Sequence, residues 1–247
     1  LEYLDTVTSE NFHSKINEVK NRILYQSKFT VFIYGNTTSS ELFDSDNNII
    51  INFPSIEKPR NVLKLIPNID CVHPNKDEKD NYVQFTHYIG QFNPKNNLLL
   101  IVLSVAMGQS FYDDLRTKQQ FGYLVSSRTS KSQKNYYFKQ SVQSSKSIEK
   151  IETAIQKFND NFLSTVSEDD YKKYVDVAKK ILEERENNTR ELFSKYLNEI
   201  VENTCEFQRK ELLLSKIKTI DYSQFKEFYQ KNILNGTTSK TYIRSQE

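Results

Sequence analysis

Residues 112–125 read YDDLRTKQQFGYLV and mark the junction between a predicted helix and a predicted strand. The helix is expected to end near Gln120 and to present Arg116 from its last turn. Gly122 permits a tight turn or a close backbone approach, and Tyr123 is expected to begin the strand with its phenol at the edge of a sheet. A guanidinium and a phenol brought together there would form a donor pair for a peptide carbonyl or an oxyanion. On spacing alone, the commoner interpretation is structural, with Arg116 as a helix C-terminal charge and Tyr123 at the edge of the core.

The segments on both sides of this junction alternate between strand and helix patterns. Asn93 and Pro94 supply an N-cap and a first-turn proline for a buried apolar helix. Strand patterns of β-branched, aromatic and alternating apolar residues precede this helix near 61–73 and 81–90, and follow the junction at 121–129 and 134–144.

The remainder of the chain is mostly helical in pattern. An apolar stripe at 148–162, a capping box at Ser167–Asp170 and helix patterns near 206–217 and 221–233 precede a short closing strand at 241–243. From about residue 60 the predicted order is β, β, α, α, β, β, several helices and a last strand. That order predicts an α+β fold, with an antiparallel-type sheet and helices packed on one side.

The first 57 residues contain too few elements to bury a sheet of their own. A helix pattern at 9–24 and a strand pattern at 29–34 are followed by a polar stretch with Pro54 and Pro59. We therefore interpret residues 1–57 as the tail of a preceding domain, and residues 58–247 as one further domain.

Composition excludes several classes of protein. The 34 Lys and Arg residues are interleaved with 32 Asp and Glu residues, so no basic block indicates nucleic-acid or membrane-surface binding. The longest apolar run, about ten residues from Leu98, is shorter than the roughly 20 residues needed to cross a bilayer. No signal peptide is visible, and Cys71 and Cys205 are interpreted as buried free thiols. A soluble, cytoplasmic protein is therefore expected, without a membrane span.

The three histidines, His13, His73 and His87, predict no metal site in this chain. No pair has the i, i+4 spacing that places two imidazoles on one helix face, and the His-x-x-Glu-His motif is absent in both directions. His13 lies beside an apolar stripe and His87 on the apolar side of a strand, so both are interpreted as structural. Nucleophile-elbow, phosphate-binding-loop and dinucleotide motifs are also absent, and no catalytic residue is predicted.

The string Leu-Arg-Thr-x-x-Gln-x-Gly-Tyr, here Leu115 to Tyr123, resembles the C-terminal half of the insulin-degrading-enzyme and pitrilysin family, the insulinase-like M16 zinc metallopeptidases. The resemblance covers about 60–247, which it implies is a C-terminal, non-catalytic insulinase-like domain. It covers 8–38 more loosely, as the end of a preceding homologous α+β domain. Gln119 stands where this family usually has Glu, and Phe121 where it usually has Leu.

The resemblance implies a role for each matching residue. Arg116 and Tyr123 would reach across to an active site, bind the substrate backbone and help to stabilise the tetrahedral intermediate, while Gly122 would let the backbone approach. Zinc, its ligands and the general base would belong to an N-terminal catalytic half, in the same protein or in a partner subunit.

The implied function is therefore the substrate-binding, chamber-closing C-terminal part of a zinc-dependent endopeptidase that degrades peptides. Such a chain would be inactive alone and would bind no metal itself. The alternative is a non-enzymatic, peptidase-like scaffold or assembly subunit, against which the retention of Arg116 and Tyr123 counts. A plain helical interaction module is disfavoured by the paired strand patterns.

Overall fold

The computed structural model describes residues 6–26, 68–132, 134–201 and 206–246. The chain divides into two compact units, Leu1–Asn61 and Val62–Glu247. In the first unit, helix α1 spans Phe12–Gln26 and confirms the helix pattern there. The predicted strand at 29–34 and the polar stretch after it lie outside the described residues. The assignment of residues 1–57 to a preceding homologous domain stays a prediction.

The second unit contains a sheet of five described strands in the order β1-β5-β2-β4-β3. Its strands are β1 Ile69–Val72, β2 Asn81–Gln91, β3 Leu124–Ser132, β4 Asn135–Ser144 and β5 Thr238–Arg244. Strands β3, β4, β2 and β5 pair antiparallel, as predicted.

The first strand departs from the antiparallel prediction. Strand β1 pairs parallel with β5, with Ile69 opposite Thr241, so the sheet is mixed. A parallel pair needs a long crossover connection, and here almost the whole unit lies between the two strands. The fold is α+β, as predicted.

Helix α2 spans Pro94–Tyr112 and passes without interruption into a π-helix, Asp113–Lys118. The side chain of Asn93 accepts a hydrogen bond from the Asn96 N–H and caps α2, as predicted. The two helices expected between β2 and β3 are therefore one continuous helical segment. By length and composition, the segment Pro94–Lys118 could cross a bilayer. The sequence-based estimate, which counted only the apolar run of about ten residues from Leu98, was therefore too short. Half of the segment's most apolar window is buried inside the protein, which is typical of a core helix.

The remaining described helices follow β4. They are α3 Ile148–Phe162, α4 Glu168–Glu183, α5 Thr189–Val201, α6 Arg209–Lys216 and α7 Tyr222–Tyr229, the last continuing as a π-helix to Leu234. The capping box predicted at the start of α4 is present: the Asp170 N–H donates to Ser167 Oγ, and Ser167 N–H donates to Asp170 Oδ2.

Two clusters of buried side chains hold the helices against one face of the sheet. The larger surrounds α2 and includes Leu99, Leu103 and Phe138. The smaller joins the end of the α2 segment to β2, β3, β4 and α3; it consists of Val83, Phe85, Phe111, Leu115, Phe121, Val125, Val142, Ile148, Ile151, Ala154 and Ile155. This smaller cluster fixes the junction that the sequence singled out.

A buried chain of polar side chains connects the sheet to α3. His87 Nε2 lies 3.0 Å from Gln140 Oε1, and Gln140 exchanges two hydrogen bonds with Asn159 at 2.7 and 2.9 Å. His87 Nδ1 lies 2.8 Å from Thr238 Oγ1. Both ring nitrogens therefore contact neutral partners, in agreement with the structural role expected for His87. Burial lowers the pKa of His87 to about 4, although its hydrogen bond to Gln140 opposes this shift.

We expect His87 to make folding dependent on pH. The folded chain keeps this imidazole neutral, whereas the unfolded chain protonates it near its ordinary pKa of about 6.5. The contribution of the neutral His87 side chain to the unfolding free energy is therefore fully present above pH 6.5 and is lost as the pH falls towards 4. The total loss is about 3 kcal/mol. Urea unfolding at pH 7 and pH 4.5 measures it. The variant His87→Asn should be less stable at pH 7 but less sensitive to pH, whereas His13→Asn, at an exposed histidine, should keep the wild-type slope.

Candidate functional site

The helix-to-strand junction at Leu115–Tyr123 is built by a π-helical end and two buried anchors. Gln119 N–H donates to Asp114 O at 3.0 Å and Phe121 N–H donates to Leu115 O at 2.9 Å, so the chain reverses tightly after the helix. Gln120 takes φ of +54°, a left-handed conformation that is uncommon outside glycine. The side chains of Leu115 and Phe121 are both buried in the smaller core cluster. The packing of these two side chains in the core thus fixes the turn.

Gly122 sits where the turn meets β4. Its φ is +155°, and a Cβ at this position would lie 2.2 Å from the carbonyl oxygen of Gln143 and 3.2 Å from the Cα of Ser144. No side chain fits there unless the backbone moves. The close backbone approach expected at Gly122 therefore exists, and in this structure it is an approach to β4.

Arg116 and Tyr123, the two predicted site residues, are brought together at this turn. Arg116 Nη1 donates to the carbonyl oxygen of Gly122 at 2.8 Å. Its Cζ lies 4.4 Å from the centre of the Tyr123 ring and 5.6 Å from the centre of the Tyr112 ring, both within the range of cation–π attraction. The guanidinium is therefore oriented by one carbonyl and two aromatic rings.

Tyr123 is 79% exposed and stands just before β3, which begins at Leu124. The expectation that Tyr123 begins the strand is thus wrong by one residue, because the close approach of Gly122 to β4 delays the start of strand pairing. Its position at the sheet edge holds, since β3 is the outermost strand beside β4. Within the described part of the chain, no group hydrogen-bonds to the Tyr123 hydroxyl.

The arrangement offers two hydrogen-bond donors on one exposed corner of the sheet. Only one N–H group of Arg116 is committed to Gly122 in the contacts above, and a guanidinium presents several more in a planar fork. Together with the phenol of Tyr123, those groups can bind a carbonyl oxygen or a developing oxyanion.

Lys146 also supports this turn, and sequence reasoning missed it. Its Nζ donates to Gln119 O at 2.6 Å and lies 4.0 Å from the centre of the Phe121 ring. Lys146 borders a shallow depression of about 550 Å³ that also touches Lys150 and Thr153 on α3. Nothing in the spacing of Lys146, more than twenty residues from its contacts, indicates this role.

The residues that the structure describes do not fit a metal ion. Among the side chains that the structure describes, no group of three or more His, Cys, Asp or Glu could hold one. His13 is exposed on α1, His73 Nδ1 accepts from the Asn75 N–H, and both ring nitrogens of His87 are occupied.

Cys71 differs from its expected burial. It lies exposed on β1, an edge strand, and carries a free thiol. Cys205 lies outside the described residues. The cytoplasmic location stays a prediction.

Comparison with protein families gives one model that matches part of the chain. The model described as "PQQ synthase PqqF-like, C-terminal lobe domain 4" matches residues 102–197, which contain the whole Leu115–Tyr123 junction.

Curated relatives match between half and nearly all of the chain at low identity. The insulin-degrading enzyme of Drosophila melanogaster is 23% identical over 250 residues, covering 94% of this chain and 25% of that protein. The insulin-degrading enzyme homolog of Dictyostelium discoideum is 29% identical over 135 residues, covering 50% of this chain and 14% of that protein. The chain thus spans a quarter or less of the length of these relatives.

Solved structures share the fold at still lower identity. Pitrilysin superposes with a TM-score of 0.67 and 14% identity over 85% of this chain and 24% of its own. The ferredoxin protease FusC gives 0.68 and 10%, over all of this chain and 28% of its own. An M16 peptidase inactive domain from Pseudomonas fluorescens gives 0.55 and 13%, over 78% of this chain and 47% of its own.

Two glycine variants test the constraint at the turn. Gly122→Ala forces a Cβ into the backbone of Gln143, so we expect a loss of about 2 kcal/mol or more in unfolding free energy and a displaced Arg116. Gly108→Ala is the matched control: it lies within α2 with nothing inside 4 Å of the new Cβ, and should stabilise by up to about 1 kcal/mol. Urea unfolding of both variants measures the difference. Equal stability of the two would contradict the close approach described for Gly122.

Proposed function

We propose that this chain, a C-terminal segment that resembles the insulinase-like M16 zinc metallopeptidases, is the substrate-binding and chamber-closing part of a zinc-dependent endopeptidase that degrades peptides. The observation that carries this proposal is the stack of Arg116 on the exposed Tyr123 ring, at a turn that packing holds in place. A stacked and hydrogen-bonded guanidinium keeps its remaining donors in a fixed direction.

In this proposal the Arg116–Tyr123 pair acts on the peptide bond from the side opposite the catalytic groups. Arg116 binds a backbone carbonyl of the substrate, and the Tyr123 hydroxyl donates to the oxygen that gains charge as the tetrahedral intermediate forms. Donors that bind the transition state more strongly than the substrate raise the rate of the chemical step. Gly122 contributes by placing both side chains, because its own backbone is packed against β4.

Zinc, its ligands and the general base are supplied by an N-terminal catalytic half, in the same polypeptide or in a partner subunit. Zinc held there would supply polarisation of the scissile carbonyl and activation of water. The described residues of this chain offer no ligand set of their own. The chain by itself is therefore expected to be inactive, with or without added zinc.

The proposal is tested on the enzyme reconstituted from this chain and its catalytic half, or on the full-length protein. Tyr123→Phe removes only the hydroxyl, and Arg116→Ala removes the guanidinium. Each should lower kcat for peptide hydrolysis by on the order of 10²–10³. Unfolding free energy should stay near wild type for Tyr123→Phe, because the side chain is largely exposed.

Tyr112→Phe is the matched control for Tyr123→Phe. It removes the hydroxyl of the other ring beside Arg116 and keeps that ring, so kcat should not change. If Tyr123→Phe and Arg116→Ala leave hydrolysis as it was, the catalytic assistance assigned to this pair is wrong.

A non-enzymatic scaffold is the second candidate function. One structural neighbour is an inactive domain of an M16 peptidase, so this fold also occurs in a domain without activity of its own. A scaffold would need the fold and its interfaces but not the donors of Arg116 and Tyr123. Unchanged hydrolysis in the variants above, with assembly lost when this chain is left out, would favour the scaffold.

A further inference from the structure

Strand β3 continues from Tyr123 along the outer edge of the sheet, where it pairs with β4 on one side. The Tyr88 N–H donates to Thr237 O, so the even-numbered residues of β2 bond to β5. Successive residues of an antiparallel strand hydrogen-bond alternately to the neighbour on one side and to the neighbour on the other. In the observed registers, odd-numbered residues of β2 therefore bond to even-numbered residues of β4, and odd-numbered residues of β4 bond to even-numbered residues of β3. The backbone N–H and C=O groups of Val125, Ser127 and Thr129 therefore point away from β4. No residue that the structure describes hydrogen-bonds to them.

Two cations stand side by side on the sheet face that looks away from the helices. Arg128 on β3 is directly opposite Lys139 on β4, so their side chains share that face. The neighbouring pair on this face, Ser126 and Ser141, is close enough for a hydrogen bond of 2.9 Å. Arg128 is exposed and Lys139 is half-buried, and neither side chain forms an ion pair or a hydrogen bond with any described residue.

Like charges directly opposite on paired strands repel each other and destabilise the sheet. By contrast Lys131, on the opposite face of β3, is paired with Glu199 at 3.3 Å. A carboxylate placed over this pair of cations would reduce the repulsion and gain two charge-assisted contacts.

We propose that β3 accepts a segment of the peptide substrate as an additional strand, with an Asp or Glu side chain of that segment contacting Arg128 on β3 and reaching over it to Lys139 on β4. This inference rests on the proposed function for the location of the scissile bond and deepens it by naming a substrate preference. At about 3.3 Å per residue, the five residues from Tyr123 to Arg128 span roughly 17 Å. The acidic side chain therefore lies about five residues from the substrate residue that Arg116 and Tyr123 contact.

A peptide fits this surface better than another anion does. The outward backbone groups of Val125, Ser127 and Thr129 match the hydrogen bonds of an extended chain, which nucleic acids and lipid head groups cannot supply in that spacing. The net charge of +2 and the interleaved charges also provide no broad positive field for a polyanion.

Direct binding to the 247-residue chain tests the carboxylate site without any need for catalysis. The probe is a fluorescent ten-residue peptide of Val, Thr, Ser and Gln with one central Glu, compared by anisotropy with the same peptide carrying Gln. The Glu peptide should bind about five-fold more tightly at low salt, and the advantage should shrink at 0.5 M NaCl. Arg128→Gln and Lys139→Gln should each abolish most of this preference.

Lys134→Gln is the matched control, because Lys134 is an exposed cation in the turn between β3 and β4. It should leave the Glu preference intact. An equal loss in Lys134→Gln would mean that general positive charge attracts the peptide, and the carboxylate site would be wrong. Equal binding of the Glu and Gln peptides, or no binding of either, overturns the proposal as well.

N-methylation of the Glu peptide at successive backbone positions tests the added strand. Binding should fall at alternate positions, because only every second N–H of an edge strand faces its neighbour. A uniform effect along the peptide would exclude strand addition.

The assay in the reconstituted enzyme separates this inference from the proposed function. Arg128→Gln should lower kcat/KM for the Glu substrate towards that of the Gln substrate, whereas Tyr123→Phe should lower kcat for both and leave their ratio unchanged. A persistent Glu preference in binding, with no effect of Tyr123→Phe on hydrolysis, would refute the catalytic role and keep the carboxylate site.

Discussion

The contact of the Gly122 backbone with the carbonyl of Gln143 is the constraint on which the candidate site depends. It brings the turn after the long helix against β4, where a side chain of any size would be excluded. The carbonyl of Gly122, fixed in this way, is the acceptor for Arg116. Tyr123 follows by one peptide bond, and at 79% exposure its ring is oriented more by the backbone and by Arg116 than by the core. The packing of Gly122, which lies between Arg116 and Tyr123 in the sequence, therefore sets the positions of both donors.

The π-helical end of the α2 segment serves the same arrangement. In a π-helix each turn holds an extra residue, and such segments are frequent at functional sites. Here the widened turn keeps Leu115 in the core while Arg116, the next residue, reaches the Gly122 carbonyl. The buried Phe121 then closes the turn from the other end, and Lys146 covers its outer side through the Gln119 carbonyl. The contacts of Leu115, Phe121 and Lys146 thus all favour the same conformation of the turn.

Periodicity predicted most of the elements, because local patterns control where helices and antiparallel strands form. The capping residues Asn93 and Ser167 even indicated the helix starts correctly. Long-range relations were beyond reach: the parallel pairing of β1 with β5 joins opposite ends of the unit, and it places Cys71 on an exposed edge rather than in the core. Lys146 was missed for the same reason. At the candidate site, pairing of Arg116 with Tyr123 was predictable from the family string, but the cation–π stack was not.

The open edge of β3 defines the direction in which a bound peptide would extend from the candidate site. Tyr123 immediately precedes β3, so a backbone bound at Tyr123 in extended form meets the outward N–H and C=O groups of Val125 and Ser127 next. An exposed edge of this kind is an aggregation hazard that proteins usually cover or protect with charge. Arg128 and Lys139 provide such charge, since two adjacent cations repel a second basic strand while they leave room for an acidic one. In the proposed complex one feature would therefore serve two purposes: it would discourage self-association at the edge and discriminate among the extended chains that could occupy it.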